Sequence, residues 1–427
     1  MLKIYRFLVA LFFYGTLPVL LLAVFITGRN RSGLGERFGT YAPVQREKHA
    51  GPTIWVHAAS VGEVKAAGLI IAELKNTLKD ARIVVTTMTT HGRTMARKRL
   101  GDVAACYLAP LDVPGIVERA IQKINPDMYI CIETELWPVL LNSLAQSGTR
   151  LYLLNGRISS GAYHKYRRIG RLLRHTLRQF EKIVVISARD RVRYVELGAR
   201  EHSVTVEGNV KYDLVLPESK EKMLQFYRSL LHIGKTEVFV AGSTHDDEEK
   251  RLLELYDRLA KDGNILFIIA PRHVERIAEI EKMLKREKKA YQLYSNIERG
   301  VESRRESLLL VDTMGELAGL YGVADYIFCG GSLVNKGGHN LMEAALWNKI
   351  VFYGPSIDDF HDAAELLREG AAGYQVESME EVEEHISFFR RNPEDYRKGC
   401  QRAGRIAAAQ KGCSKRQVAI IIEAESC

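Results

Sequence analysis

The chain has 427 residues, too many for one hydrophobic core, so two domains are expected. With 46% hydrophobic and 26% charged residues it is a globular composition that excludes broad disorder, and a net charge of +9 favours an anionic partner. Six scattered cysteines with no CxxC pair argue against both a disulfide framework and a zinc site, and suit a reducing compartment.

The first element is "FLVALFFYGTLPVLLLAVFI", Phe7 to Ile26, 20 residues without a charge. As a helix it rises roughly 30 Å, the thickness of a bilayer's hydrocarbon core. A signal peptide would be shorter and would end in a small-residue cleavage site, and a buried core helix is seldom apolar all round. The expectation is a membrane anchor over residues 1–28, either single-pass or monotopic, with Pro18 as a kink. Lys3 and Arg6 precede the run, and Arg29, Arg31 and Arg37 follow, so orientation is weakly set by charge. The cysteines favour a cytoplasmic body.

After the basic linker "GRNRSGLGERFG", short apolar runs alternate with helical patterns. "TIWVHAA", "RIVVTTMT", "DMYICIET", "RLYLLNGR", "KIVVISA" and "SVTVEGNV" read as strands, and "EVKAAGLIIAELKNTL" and "ELWPVLLNSLAQSG" as helices. The alternation restarts near Val238 with "VFVAGST", "NILFIIAPR", "SLLLVD", "YIFCGG" and "KIVFYGP". Val/Ile-rich strands alternating with helices predict parallel sheets flanked by helices. The expected architecture is α/β: two doubly wound, Rossmann-like domains facing a crevice, at 29–215 and 216–427. The polar segment Leu216 to Gly234 is the expected linker region.

Ligands of such sheets bind beyond the carboxyl ends of the strands, so the loops there carry the chemistry. Glu63, at the end of "HAASVGE", is a candidate general base; equally, it is an acid favoured in the first turn of a helix. Arg272 in "APRHVER" suits a phosphate or carboxylate, or is a surface arginine. Met314, Gly315 and Glu316 open a helix after a strand, with Asp312 or Thr313 as a plain N-cap in the alternative. "GGSLVNKGGHNLMEAAL" joins four glycines to a helix start near Asn340, fit either to approach a phosphate or to form a capping box between Asn340 and Glu343. From Leu136 to Phe180 there is no acid but eight Lys or Arg, with Tyr163 and Tyr166 interleaved. This is a solvated face or a surface for anionic lipid; nucleic acid needs the same charges but leaves the anchor unexplained.

"HAASVGE", "TTMTTHGRTMA", "ETELWP", "NGRIS", "GNVKYD", "GSTHDDEE", "APRHVER", "DTMGEL" and "GGSLVNKGGHN", in this order and spacing, resemble the Kdo transferases of lipopolysaccharide synthesis. The resemblance extends from about Arg37 to Pro355. It implies a GT-B glycosyltransferase that moves Kdo from CMP-Kdo to a lipid A precursor, lipid IVA, at the cytoplasmic face of the cell inner membrane, with inversion and without a metal or other cofactor. It puts the general base on Glu63, and transition-state stabilisation on Glu133 and Lys211. CMP-Kdo contacts carry over to Pro271, Arg272, Met314, Gly315, Glu316, Asn340, Leu341, Met342 and Glu343. Thr90-His91 and Leu341-Met342 depart from the family's usual pairs and bear on acceptor specificity. The "GCSKRQVAIIIEA" segment resembles a last helix that packs back on the first domain. The rival readings are a GT-B transferase using a UDP-sugar on another lipid, an epimerase on the same fold, and a non-enzymatic receptor for anionic lipid.

Overall fold

The computed structural model describes residues 2–27, 33–42, 51–213, 219–262 and 264–426. Residues 28–32 of the basic linker, which include Arg29 and Arg31, and Cys427 lie outside that set, as do residues 214–218 in and before the expected linker region. The chain divides into two compact units: Met1–Asp213 with Gly412–Cys427, and Leu214–Lys411.

The first unit opens with the helix Leu2–Thr27. Its sheet contains β1 (Thr53–His57), β2 (Arg82–Thr87), β3 (Ala104–Leu108), β4 (Met128–Ile132), β5 (Arg150–Gly156), β6 (Phe180–Val185) and β7 (Val204–Val206). Their order is β3-β2-β1-β4-β5-β6-β7, with every neighbouring pair parallel. Helices cover both faces, which explains the uninterrupted apolar strands. Side chains alternate across the sheet, so Ile54 and Val56 join the cluster under the helix Val61–Thr77, while Trp55 between them joins the opposite cluster with Tyr129 and Leu153.

The helix Cys413–Ser426 belongs to this first unit. Cys413, Val418 and Ile421 are buried in the same cluster as Ile70 and Val184.

The second unit contains β8 (Glu237–Thr244), β9 (Ile265–Pro271), β10 (Gln292–Leu293), β11 (Leu308–Leu310), β12 (Tyr326–Cys329), β13 (Val351–Tyr353) and β14 (Gly373–Gln375). Their order is β10-β11-β9-β8-β12-β13-β14, again all parallel. Both sheets have the reversal of strand order that defines a doubly wound fold: between β1 and β4 in one, and between β8 and β12 in the other. The strands that the sequence reading leaves out, β3, β10 and β14, all lie at sheet edges. β10 and β14 are only two and three residues long, and alternate positions of β3 are half-exposed, so no continuous apolar run announces them. The expected linker region contains the helix Lys220–Leu230.

Candidate functional site

In the first unit the strands on either side of the reversal, β1 and β4, carry the loops Ala58–Ser60 and Glu133–Trp137. Ser60 is extended and caps the helix Val61–Thr77, its Oγ accepting the Glu63 N–H at 3.3 Å. The Glu63 carboxylate folds back over the cap: Oε2 accepts the Ala59 N–H at 2.7 Å, and Oε1 accepts the Ser60 hydroxyl at 2.9 Å. Ser60 is the N-cap and Glu63 stands in the first turn, so the helix-start reading of Glu63 holds. It does not compete with the chemical reading. Burial raises the Glu63 carboxyl, and the Glu133 charge adds to it, reaching about 7 despite the hydrogen bonds from Ala59 and Ser60.

Glu133, the first residue beyond β4, has φ +62°, a left-handed conformation that costs a non-glycine residue of order 1 kcal/mol. It turns the side chain between two cations. Lys211 Nζ lies 2.5 Å from Oε1, and Arg157 Nε, from the loop after β5, lies 3.0 Å from Oε2. Glu63, Glu133 and Lys211 therefore share one neighbourhood, joined by Arg157. Glu135, also raised by burial, is engaged by Trp137 Nε1 at 2.8 Å.

Lys211 is held through its backbone. Asn209 Oδ1 accepts its N–H at 3.0 Å, and the neighbouring Val210 N–H donates to Asn155 Oδ1 at 2.9 Å. Asn155 N–H in turn donates to Gln417 Oε1, and Gln417 Nε2 donates to Gly208 O, both at 2.9 Å. Asp213 closes the loop by accepting the Ser414 N–H at 2.9 Å. The helix Cys413–Ser426 thus fixes the segment that presents Lys211.

In the second unit the equivalent position lies between β8 and β12. His245 follows β8, His273 follows β9, and His339 closes the glycine-rich loop after β12. The His245 and His339 rings are 5.3 Å apart between centroids, with their Nε2 atoms at 3.0 Å; His273 meets His245 edge-on at 5.7 Å. An Nε2–Nε2 hydrogen bond needs one donor and one lone pair, so the pair excludes full protonation. Burial lowers His339 to about 4, helped by Arg272, and burial lowers His245. Lys336, Arg276 and Arg272 lie near enough to His245 to lower it further, although Arg276 is paired with Glu249. Gly331 stands at φ +67°, a conformation that favours glycine, and a Cβ there would press on the His339 ring at 3.1 Å.

The glycine loop departs from the expectation that its amides greet a phosphate. Glu248, fully buried, accepts N–H bonds from Gly331 at 2.7 Å, His245 at 3.0 Å, Leu333 at 3.0 Å and Ser332 at 3.1 Å. Those amides are already occupied by a carboxylate of the chain's own. Beside it Glu249 accepts from Thr244 Oγ1 and Arg276 Nη1, each at 2.9 Å.

The remaining sequence-derived positions fall as follows. Pro271 ends β9 and Arg272 is exposed, its N–H donating to Thr244 O at 3.0 Å. Met314 is 69% exposed, Gly315 has φ +109°, and Glu316 precedes the helix Leu317–Val323. Glu316 Oε2 accepts from Tyr227 at 2.5 Å and Tyr294 at 3.1 Å. Asn340 Oδ1 accepts the Met342 N–H at 3.1 Å, and its side-chain amide donates to Glu343 at 3.4 Å; the N-cap itself is Leu341, so the expected capping box between Asn340 and Glu343 does not form. The helix begins at Met342. The Leu341 and Met342 side chains are buried, which leaves only their backbone to meet a ligand.

Sequence reasoning left Glu248, the His245–His339 pair, Arg157 and Gln417 without roles. The repeated acids of "GSTHDDEE" and histidines ending three separate loops were visible, but their convergence requires the sheet order. Gln417 lies 262 residues from Asn155 and carried no local signal.

Residues 32–214 match the family model described as 3-deoxy-D-manno-octulosonic-acid transferase (kdotransferase). The chain is 32% identical over 382 residues to the 3-deoxy-D-manno-octulosonic acid transferase of Haemophilus influenzae, covering 88% of this chain and 87% of that one. It is 34% identical over 331 residues to a bifunctional glycosyltransferase/methyltransferase of Fusobacterium nucleatum, across 77% of this chain, and spans about half (51%) of that longer protein. Among solved structures, a glycosyltransferase from Rickettsia africae superposes with a TM-score of 0.58 at 14% identity, over 88% of this chain and 99% of that one. The last likeness is one of fold, and the fold is GT-B.

Proposed function

This chain belongs to the Kdo transferase family, and from that premise we propose that it transfers Kdo from CMP-Kdo to lipid IVA, the lipid A precursor, with inversion. The observation that carries the mechanism is the Glu63 carboxyl, raised by burial and the Glu133 charge to about 7 beside the Glu133–Lys211–Arg157 cluster. A base poised near neutrality accepts a proton from an acceptor hydroxyl without giving up its charge entirely to water. In the proposed step, the acceptor's primary hydroxyl loses its proton to Glu63 as its oxygen bonds to the anomeric carbon of Kdo. The bond from that carbon to the phosphate breaks on the opposite face, and CMP leaves with the electron pair.

Charge on the sugar becomes more positive as the leaving group departs. Glu133 is suited to stabilise that charge, and Lys211 to offset the sugar's carboxylate or the leaving phosphate. Because Lys211 is already paired with Glu133, the two act as one unit. In the second unit the cations Arg272 and Lys336 beside His245 support a phosphate-bearing donor. Arg272, exposed at the end of β9, supplies a guanidinium for it. Met314, Gly315, Glu316 and the Asn340–Glu343 turn are proposed to border the nucleotide, Leu341 and Met342 through backbone atoms.

The proposed location is the cytoplasmic face of the inner membrane, where anchor and acceptor meet. This reading is supported by the exposed apolar face of the helix Leu2–Thr27 and by the acid-free basic segment. The test is an assay of the full chain with CMP-Kdo and tetraacylated lipid IVA, with products resolved by mass. A Kdo adduct is expected, and UDP-sugars in its place should give none. Transfer from a UDP-sugar, with CMP-Kdo inert, would overturn the donor assignment.

A further inference from the structure

The helix Leu2–Thr27 does not stand away from the first unit. Along it Leu2, Tyr5, Val9, Phe13 and Leu17 are half-buried, a spacing of three to four residues that marks one helical face turned to the body. That face runs for about 22 Å of helix axis. Polar contacts fasten it. Arg6 Nη2 pairs with Glu118 at 2.6 Å, Arg6 Nη1 donates to Ser143 Oγ at 3.0 Å, and the Tyr14 hydroxyl donates to Pro114 O at 3.0 Å. Further along, the Phe13 ring meets Phe38 at 6.1 Å.

The opposite face is apolar and open: Ile4 is 63% exposed, Leu8 55%, Leu11 61%, Phe12 74% and Val19 70%. If the helix crossed a bilayer, the hydrocarbon would have to take in the body strapped along it. The Arg6–Glu118 pair, Ser143 and the Pro114 carbonyl would then leave water, at a cost of several kcal/mol for such groups. A helix lying in the interface plane avoids this, with the body on its aqueous side and the open stripe in one leaflet.

The charge beside the stripe identifies the leaflet. Lys3, Arg6, Arg171 and His175 line one cleft with Leu2 and Leu172, where the helix Gly170–Leu177 runs beside the first turns. That helix lies in the segment with eight basic residues and no acid. We propose that the first helix is an in-plane anchor, held to the body by Arg6 and Tyr14, and that its outer stripe and the basic helices beside it form one docking surface for an anionic leaflet. This deepens the membrane part of the proposed function and is independent of the transfer chemistry.

The experiment places single cysteines in the full chain at Lys3 and, as a marker of the body's side, at exposed Lys98. Sealed inside-out membrane vesicles are treated with an impermeant maleimide, with the unsubstituted chain giving the background of native cysteines. Lys3→Cys and Lys98→Cys are expected to label from the same side, each changing less than twofold on permeabilisation. Labelling from opposite sides means the helix spans, and overturns the inference. In a second measurement, the exposed-face double variant Leu8→Glu/Phe12→Glu should lose at least tenfold in binding to phosphatidylglycerol-containing vesicles. Binding unchanged, or a lipid-free dimer that covers the stripe, would overturn it as well. Kdo transfer measured on the same samples records the fate of the enzymatic reading separately.

Discussion

At the scale of single residues, Glu63 shows how one carboxylate serves structure and chemistry together. Its hydrogen bonds to Ala59 N–H and Ser60 Oγ cap a helix, and the burial that this placement imposes raises its pKa to about 7. Glu63→Gln should reduce Kdo transfer at least about a thousandfold, with CMP binding unchanged, because the amide keeps the shape and loses the base. In the unsubstituted chain kcat/KM should fall about tenfold per pH unit below pH 7. A flat profile down to pH 5 would reject Glu63 as the base. The same shift has a stability consequence of definite sign. With the folded pKa raised from 4.5 to about 7, the native state favours the proton, so this contribution is fully present below pH 4.5 and is lost as pH rises through 7. At pH 8 the ionised carboxylate costs the fold up to about 3 kcal/mol. Glu63→Gln should therefore raise the melting temperature at pH 8 and leave it nearly unchanged at pH 4, a difference read by calorimetry.

At the scale of elements, the strands nearest each strand-order reversal are the ones the sequence announces. β1, β4 and β8 border a reversal and β9 lies beside β8; all are largely buried apolar runs, and the segments after them hold Glu63, Glu133, His245 and Arg272. β10 and β14 are short and β3 alternates buried with half-exposed positions, which is why these three edge strands escape, while the edge strand β7 is announced by "SVTVEGNV". The chemistry was legible unevenly. Glu63, Glu133 and Lys211 were found through motifs matched to a family, since residue types alone left Glu63 divided between helix cap and base. The glycine pattern does not disclose that Glu248, 83 residues before Gly331, already occupies the amides of Gly331, Ser332 and Leu333. Glu248 is to this loop what a bound anion would be to a free one. Glu248→Gln turns an amide NH2 toward backbone donors, and each unsatisfied group costs about 1–3 kcal/mol. The variant should melt several degrees lower and bind CMP at least tenfold more weakly by titration calorimetry. Native melting and native affinity together would show that the loop holds itself.

At the scale of the whole molecule, the chain leaves its first unit after Asp213 and re-enters it at Gly412. The returning helix is part of that unit's core: Cys413, Val418 and Ile421 are buried against the helix Val61–Thr77 and its sheet. It also fixes the segment that presents Lys211, through Gln417 with Asn155 and Gly208, and Ser414 with Asp213. Loss of this helix would therefore strike the first unit, though it follows the second in sequence. A chain ending at Lys411 would lack these three buried apolar side chains and expose the core they cover, a loss of about 2–5 kcal/mol for each fully buried large residue. It should lose transfer activity, and in a calorimetric scan the unfolding enthalpy contributed by the first unit should disappear. The unit Leu214–Lys411 keeps its own core and should still bind CMP within about threefold. Gln417→Ala separates the two contributions, because it leaves the apolar contacts in place and removes only the link from Asn155 to Gly208. If Lys211 depends on that link, kcat falls at least tenfold in Gln417→Ala while the melting profile shifts by only a few degrees. Full activity in that variant would assign the helix a packing role alone.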